Sequence, residues 1–167
     1  MIIGIGGCSN SGKSRLAERL DNFFNVRKVK VLCQDDFVKK QDVLTTLKGH
    51  IDWEVPSTIK FEEYLNAVKK ASVENDLVIC EGLFAFWFGE LNLLYNKKIF
   101  LEIDKATFIK RKKRDLRWGK EPDWYIEHIW QNYLKYGQYK QSDKANTLFL
   151  DASKEININN ILNFLDL

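Results

Sequence analysis

The chain has 167 residues, which is enough for one domain and too few for two of ordinary size. Hydrophobic residues make up 45% of the sequence and aromatic residues 13%, which argues against an intrinsically disordered protein. The 26 Lys and Arg residues against 23 Asp and Glu give a net charge of +3, too small to indicate nucleic-acid binding by itself.

The first half of the chain alternates apolar runs with amphipathic segments. Short apolar runs predict buried strands, and apolar residues at helical spacing predict helices. In chain order these are a strand at 1–6, a helix at 11–24, a strand at 29–33, an irregular polar segment at 34–58, a helix at 59–75 and a strand at 76–82.

The second half continues the same alternation. We predict a helix packed on the sheet within 83–95, a strand at 97–103, a basic helix at 105–117, a loop at 117–123, a helix at 124–139, a strand at 146–153 and a closing helix at 158–167. The strands are continuous apolar runs, which is typical of a parallel sheet covered by helices on both faces. The sequence therefore predicts a single domain of the α/β class.

The cysteines and the start of the chain bear on location. Cys8, Cys33 and Cys80 match no metal-binding spacing and no disulfide framework, so we interpret them as reduced, packed thiols. The opening MIIGIGG lacks the features of a signal peptide, and no apolar run reaches the roughly 18 residues of a membrane span. We therefore expect a cytoplasmic protein.

The segment GCSNSGKS, residues 7–14, fits the phosphate-binding pattern G-x-x-x-x-G-K-[ST], with an apolar strand before it and an amphipathic helix after it. Its glycines let successive N–H groups turn toward phosphate oxygens, and the helix N-terminus adds partial positive charge. Lys13 would reach the β- and γ-phosphates, and the Ser14 hydroxyl would ligate Mg²⁺. The predicted nucleotide contacts are Gly7, Cys8, Ser9, Asn10, Ser11, Gly12, Lys13, Ser14 and Arg15.

Acidic residues follow the predicted strands, at the edge where open α/β sheets bind ligands. Asp35 and Asp36 follow the second strand, Glu81 ends the third, and Asp151 ends the last. One carboxylate would accept the proton of an attacking hydroxyl, and carboxylates with Ser14 would hold Mg²⁺ directly or through water. The alternative is that Asp35 caps a turn and Asp36 is solvated.

Six motifs in chain order resemble the nicotinamide riboside kinases, a family within the uridine kinase-like P-loop kinases. They are GCSNSGKS, QDDF (34–37), DWEVP (52–56), ICEGLFAF (79–86), RKKR (111–114) and HIWQNYLKY (128–136), and together they span nearly the whole chain. The resemblance implies a three-layer P-loop fold with a five-stranded parallel sheet and a helical lid at about 111–125. It also implies ATP-dependent phosphorylation of a ribose 5′-hydroxyl, with nicotinamide riboside as the first candidate substrate, in NAD salvage.

The resemblance further implies roles for individual residues. Asp35 would be the catalytic base, Trp53 would stack on the pyridine ring, and Glu54 would bind ribose hydroxyls. The other substrate contacts would be Asp36, Phe37, Arg111, Trp118 and Asp123. Arg114 and Arg117 would act on ATP phosphates, and Ser153 and Lys154 would lie near adenine. The catalytic set is then Lys13, Asp35 and Glu81, and the metal set is Ser14, Asp35 and Glu81.

The basic run at 105–120 allows three interpretations: a solvated helix face, a nucleic-acid patch or an anion clamp. Arg111, Arg114 and Arg117 recur every third residue, so they lie near one face of a helix and favour a clamp on transferring phosphates. The neighbouring lysines, Lys110, Lys112 and Lys113, are expected to be solvated.

Other functions stay open as alternatives. A uridine or cytidine kinase would share most of the motifs, and a nucleotide-binding regulatory module would share the phosphate loop. A GTPase is disfavoured because NKKI (96–99) lacks the Asp of the guanine motif N-K-x-D. We expect a small nucleoside as the partner, no nucleic acid, no membrane, and a monomer or weak homodimer.

Overall fold

The computed structural model describes residues 1–24, 27–117, 119–140 and 144–166. Its centre is a sheet of five parallel strands in the order β2-β5-β1-β6-β7, and two short strands, β3 and β4, form a separate antiparallel hairpin. The strands are β1 (Ile2–Gly7), β2 (Val29–Cys33), β3 (Thr46–Leu47), β4 (His50–Ile51), β5 (Leu77–Gly82), β6 (Lys97–Glu102) and β7 (Thr147–Asp151).

The helices flank this sheet. They are α1 (Lys13–Phe23), α2 (Phe61–Glu74), α3 (Gly89–Leu94), α4 (Lys105–Arg114), α5 (Asp123–Asn132) and α6 (Ile158–Leu165). A π-helical turn, Tyr133–Gly137, continues α5. Short 3₁₀ turns occur at Gln34–Phe37, Gln41–Val43 and Pro56–Thr58. Among the described helices, none combines the length and the apolar character needed to cross a bilayer.

The central strands explain the fold because they are buried along their whole length. Every residue of β1 and β5 is buried, and their register pairs Gly4 with Cys80 and Ile5 with Glu81. Burying an aliphatic side chain of this kind stabilises the fold by about 1.5–3 kcal/mol. The predicted fold class, a five-stranded parallel sheet flanked by helices, is confirmed.

Two predicted helices are shorter than expected, for local reasons. Within 83–95 only Gly89–Leu94 is helical, because Phe84 and Phe86 bury their rings in the core and hold the preceding residues in a turn. The basic helix ends at Arg114 because the Asp115 side chain accepts the Arg117 backbone N–H at 3.2 Å, a local bond that competes with helix continuation.

Candidate active site

The phosphate loop joins β1 to α1 through two residues with backbone conformations that favour glycine. Gly7 has φ of 146° and Gly12 has φ of 97°. A Cβ atom on Gly7 would also lie 2.7 Å from the Leu101 carbonyl oxygen of β6. Cys8 and Ser11 are buried inside the loop, and burial raises the pKa of the Cys8 thiol to about 12. The sequence GCSNSGKS therefore folds as its pattern predicts.

Lys13 and Ser14 begin α1 and face the sheet edge. Lys13 is largely buried, and its Nζ donates to the Cys8 carbonyl oxygen at 3.0 Å, so the ammonium lies over the loop. The Ser14 hydroxyl donates to Glu81 Oε1 at 2.9 Å. Because β1 and β5 pair in parallel, the end of β5 lies beside the start of the loop, and Glu81 meets Ser14 there. Arg15 points to solvent.

The turn Gln34–Phe37 follows β2 and carries the paired carboxylates. Gln34 is fully buried, and its Oε1 accepts the Phe84 backbone N–H at 2.9 Å. A Cβ on Gly82 would lie 2.5 Å from the Cβ of Gln34, so the absence of a side chain there makes room for this amide. Phe37 packs on the buried Tyr64 ring, with centroids 4.9 Å apart. The turn is thereby anchored on both sides.

Asp35 and Asp36 differ in surroundings although they are neighbours. Both side chains reach water, but Asp35 lies where surrounding protein reduces its solvation, and this raises its pKa. The charge of Lys13 opposes that rise, whereas the charges of Glu81 and Asp36 add to it. The charges of Lys13 and Glu81 therefore both act on the Asp35 carboxyl.

Ser14, Asp35 and Glu81 form the donor set predicted for Mg²⁺. Within residues 1–24, 27–117, 119–140 and 144–166, no group of three or more His, Cys, Asp or Glu side chains is arranged to hold a metal alone. Mg²⁺ is commonly held by one or two carboxylates together with substrate phosphates and waters. The contact between Ser14 and Glu81, with the charge of Asp35 close by, supplies hard oxygen donors of that kind.

Trp53 and Glu54 lie in the loop after the β3–β4 hairpin, and both are half-buried. Burial raises the pKa of the Glu54 carboxyl to about 7. The charge of Lys112 opposes this rise, and those of Asp35, Asp52 and Glu121 reinforce it. Glu54 is therefore surrounded by more negative than positive charge.

Side chains from α5 hold this loop in place. Asp52 Oδ1 accepts the Glu54 backbone N–H at 3.1 Å and lies 2.9 Å from His128 Nε2. The Tyr125 hydroxyl donates to the Ile51 carbonyl oxygen at 2.9 Å, and the His50 ring stacks on Tyr125 with centroids 5.3 Å apart. Neither His50 nor His128 was predicted to have a role, yet both support the loop that carries Glu54.

The basic residues of α4 lie in different surroundings: Arg111 contacts the phosphate loop, and Lys112 is buried in an ion pair. Arg111 donates to the Asn10 carbonyl oxygen at 3.3 Å and to the Ala152 carbonyl oxygen at 2.6 Å. These contacts place Arg111 on the phosphate-loop side, whereas the resemblance implied a ribose contact. Lys112 is buried, with 8% of its side chain exposed, so the expectation that it is solvated was wrong. Its position four residues after the fully buried Phe108 is the signal that would have found it.

The connection between α4 and α5, residues 115–122, contains the other predicted clamp residues. Arg117 forms two hydrogen bonds with Asp115, at 2.8 and 2.6 Å, and Arg114 is exposed on the last turn of α4. Asp123 is exposed and pairs with exposed Lys113 at 2.8 Å. Trp118 lies outside the described residues. The inward carboxylate of this region is Glu121, which the sequence did not single out.

The loop after β7 carries the two residues predicted near adenine. The Ser153 hydroxyl and backbone N–H both donate to Asp151 Oδ1, at 2.5 and 2.9 Å, and Lys154 pairs with Asp151 at 3.0 Å. Chiefly because of the Ser153 hydroxyl, the pKa of Asp151 falls to about 2. Ala152 between them accepts the bond from Arg111, so this loop is joined to α4.

The sequence is similar to those of known nucleoside kinases. No protein-family model matches the chain. Human nicotinamide riboside kinase 1 is 28% identical, and the match covers 92% of this chain and 84% of that protein. The uridine kinase of Chlamydia pneumoniae is 27% identical over 70% of this chain and 54% of its own.

Solved structures share the fold at lower sequence identity. Deoxyadenosine kinase from M. mycoides, with bound dATP, superposes with a TM-score of 0.59 at 18% identity and covers 100% of both chains. At that identity the likeness shows the fold alone. The motif-based resemblance is confirmed: the chain is similar to nicotinamide riboside kinases over most of its length and, over a shorter part, to uridine kinases.

Proposed function

We propose that the chain is an ATP-dependent kinase that phosphorylates the 5′-hydroxyl of a ribonucleoside, with nicotinamide riboside as the preferred substrate. One observation carries this proposal. Ser14 bonds Glu81 at the sheet edge, and the charges of Lys13 and Glu81 act on Asp35 there. The similarity to kinases named for nicotinamide riboside and uridine supports the same reaction class.

On the donor side, the chain's own groups bind and orient the triphosphate. The backbone N–H groups of the loop and the N-terminus of α1 would face the phosphates, and Lys13 would add a positive charge. Bound Mg²⁺, held by Ser14, Glu81 and Asp35, would neutralise charge on the transferring phosphoryl group. Arg111, Arg114 and Arg117 would close over the phosphates from a lid at about 111–125.

On the acceptor side, Asp35 is the proposed base. A base acts best when its pKa lies near the working pH, and the surroundings of Asp35 raise its pKa in that direction. The charge of Lys13 opposes this rise, and the Asp35 carboxylate is proposed to take the proton of the 5′-hydroxyl. Asp36, the neighbouring carboxylate, is not proposed as the base and is proposed to support the turn Gln34–Phe37.

The charge around Glu54 supports a cationic nucleoside. Three carboxylates, from Asp35, Asp52 and Glu121, act on Glu54 together with one buried cation, Lys112. A pyridinium ring would reduce this excess of negative charge, and the indole of Trp53 in the same loop offers a face for cation–π contact worth about 0.5–2 kcal/mol. Uridine is neutral and gains neither effect, so a uridine or cytidine kinase is the second candidate, supported by the similarity to a uridine kinase.

A nucleoside panel tests the proposal. The purified protein is incubated with ATP and Mg²⁺ and with nicotinamide riboside, nicotinic acid riboside, uridine or cytidine, and the mononucleotide products are separated and quantified. We expect the highest kcat/KM for nicotinamide riboside and loss of turnover in Lys13→Ala. Preferred turnover of uridine would support the second candidate. Tight nucleotide binding without phosphorylation of any nucleoside would support a regulatory module.

The setting of the reaction belongs to the same proposal. Nicotinamide mononucleotide is an NAD precursor, so the proposed role is NAD salvage in the cytoplasm. The chain is proposed to act as a monomer or weak homodimer.

A further inference from the structure

The buried lysine of α4 has no part in the phosphoryl-transfer steps described above. Only 8% of the Lys112 side chain is exposed, although it lies within the basic run KRKKR of residues 110–114. Lysine is almost never this buried unless a carboxylate compensates its charge. Its burial therefore indicates a specific partner.

Lys112 forms an ion pair with one carboxylate, and its charge acts on a second carboxylate in another segment. Its Nζ lies 3.0 Å from Glu121 Oε2, and the Glu121 side chain is only 16% exposed. That oxygen is buried and has no hydrogen-bond donor within the described part of the chain, so its compensation comes from the Lys112 charge. The same charge is the largest effect that opposes the desolvation of Glu54. The Lys112 ammonium thus compensates negative charge in both the connection after α4 and the loop after the hairpin.

We propose that Lys112 is a positioning residue that fixes the Glu54 carboxylate for ribose binding and ties Glu121 to the same cleft. The inference rests on the proposed function, because it names the residue that organises the nucleoside side of that site. Lys112 reaches this place because Phe108, one helical turn earlier, is fully buried and turns the same face of α4 inward.

The groups around Glu54 show why a positive charge is needed there. They come from the phosphate loop, the turn after β2, the loop of Glu54 itself, α4, the α4–α5 connection and α5. They are Cys8, Asp35, Asp52, Lys112, Glu121 and Tyr125. Three of the six are carboxylates, and Lys112 is the cation among them. Without it, mutual repulsion would drive Glu54 and Glu121 apart or into their neutral forms.

The test uses charge-matched variants of the full chain. Lys112→Met removes the cation from beside the partly buried carboxylates of Glu54 and Glu121 and is expected to lose stability. The double variant Lys112→Met/Glu121→Gln removes one charge of each sign and keeps the volume, so it is the main test. Glu121→Gln alone separates the two effects, Lys112→Arg restores the charge, and Lys110→Met is the matched control, since Lys110 is exposed on the same helix.

For each variant the melting temperature, kcat, the KM for nicotinamide riboside and the KM for ATP are measured. We expect the double variant to raise the nucleoside KM at least tenfold and to leave the ATP KM within twofold. Lys112→Arg should recover most of this loss, and Lys110→Met should stay within threefold of wild type. Glu121→Gln alone should raise the nucleoside KM less than the double variant does.

Two results would overturn the role of Lys112. One is a double variant with a wild-type nucleoside KM; the other is a parallel loss of melting temperature, kcat and both KM values, which is the mark of a purely structural residue. A wild-type protein that phosphorylates no nucleoside would instead overturn the proposed function, so the two failures are distinguishable.

Discussion

Asn10 Nδ2 donates a hydrogen bond of 2.8 Å to Asp115 Oδ2, which joins the phosphate loop to the residue that ends α4. The same carboxylate accepts two bonds from the Arg117 guanidinium, and these hold its pKa well below the usual range. Asp115 therefore stays ionised at any ordinary assay pH. The Asp115 carboxylate therefore holds both the phosphate loop, through Asn10, and Arg117, the arginine proposed to act on ATP.

Replacing this anchor should weaken ATP binding. Asp115→Asn keeps the size of the side chain but removes the charge that holds Arg117, so we expect the ATP KM to rise about 3- to 10-fold, equivalent to roughly 1 kcal/mol. Initial-rate measurements at saturating nucleoside would show this, with Asp123→Asn as the exposed control. A lower ATP KM would mean instead that Asp115 holds Arg117 away from the phosphates.

The two neighbouring carboxylates should respond differently to substitution. Asp35→Asn is expected to lower kcat by about 10²- to 10⁴-fold, the usual contribution of a general base, while ATP binding measured by calorimetry is largely retained. Asp36→Asn, the matched control one residue away, should keep kcat within a few fold. Loss of kcat in Asp36→Asn with near-normal turnover in Asp35→Asn would reverse the assignment of the base.

Glu54 should make the stability of the protein depend on pH. Burial raises its pKa from 4.5 to about 7, so between these values the folded protein holds a proton that the unfolded chain releases. The contribution of this group to stability is therefore present at low pH and is lost as pH rises through about 7.

Glu54→Gln removes this titration. We expect unfolding in urea to show equal stability of wild type and variant at pH 4, below the unfolded pKa of 4.5. At pH 8 the variant should be more stable by roughly 1–2 kcal/mol, because Glu54 is only partly shielded from water. The same variant should bind nucleoside more weakly. Equal stability at both pH values would show that Glu54 is not desolvated.

His128 should affect the nucleoside and not ATP. His128→Phe preserves an aromatic ring on α5 but removes the contact of 2.9 Å with Asp52, which in turn fixes the Glu54 backbone. We expect a 5- to 10-fold higher nucleoside KM, the effect of about one hydrogen bond, with an unchanged ATP KM. Gln131→Ala, on an exposed position of α5, serves as the control. Equal increases in both KM values would contradict a specific role.

The phosphate loop could be predicted because its chemistry is local. Gly7, Gly12, Lys13 and Ser14 are set by one short motif, and Lys13 bonds back to Cys8 within the same loop. The convergence of Asp35 with Glu81 could be predicted because the ends of parallel strands meet at one edge.

Contacts between distant segments could not be predicted in the same way. Asp52 and His128 are 76 residues apart, and their contact depends on how the hairpin packs against α5. The spacing of Arg111, Arg114 and Arg117 assumed one continuous helix, but the side chain of Asp115 captures the Arg117 N–H and ends α4. The competition between a side-chain bond and helix continuation is decided by the surroundings and not by spacing.

The buried amide of Gln34 has a consequence for the order of events in the proposed reaction. Gln34 fills the space beside Gly82 and bonds to Phe84, so the turn that presents Asp35 is part of the folded sheet. The proposed base is therefore positioned when the chain folds and does not depend on either substrate for its position. Neither ATP nor the nucleoside has to arrive first to order it, so this part of the site allows random order of addition.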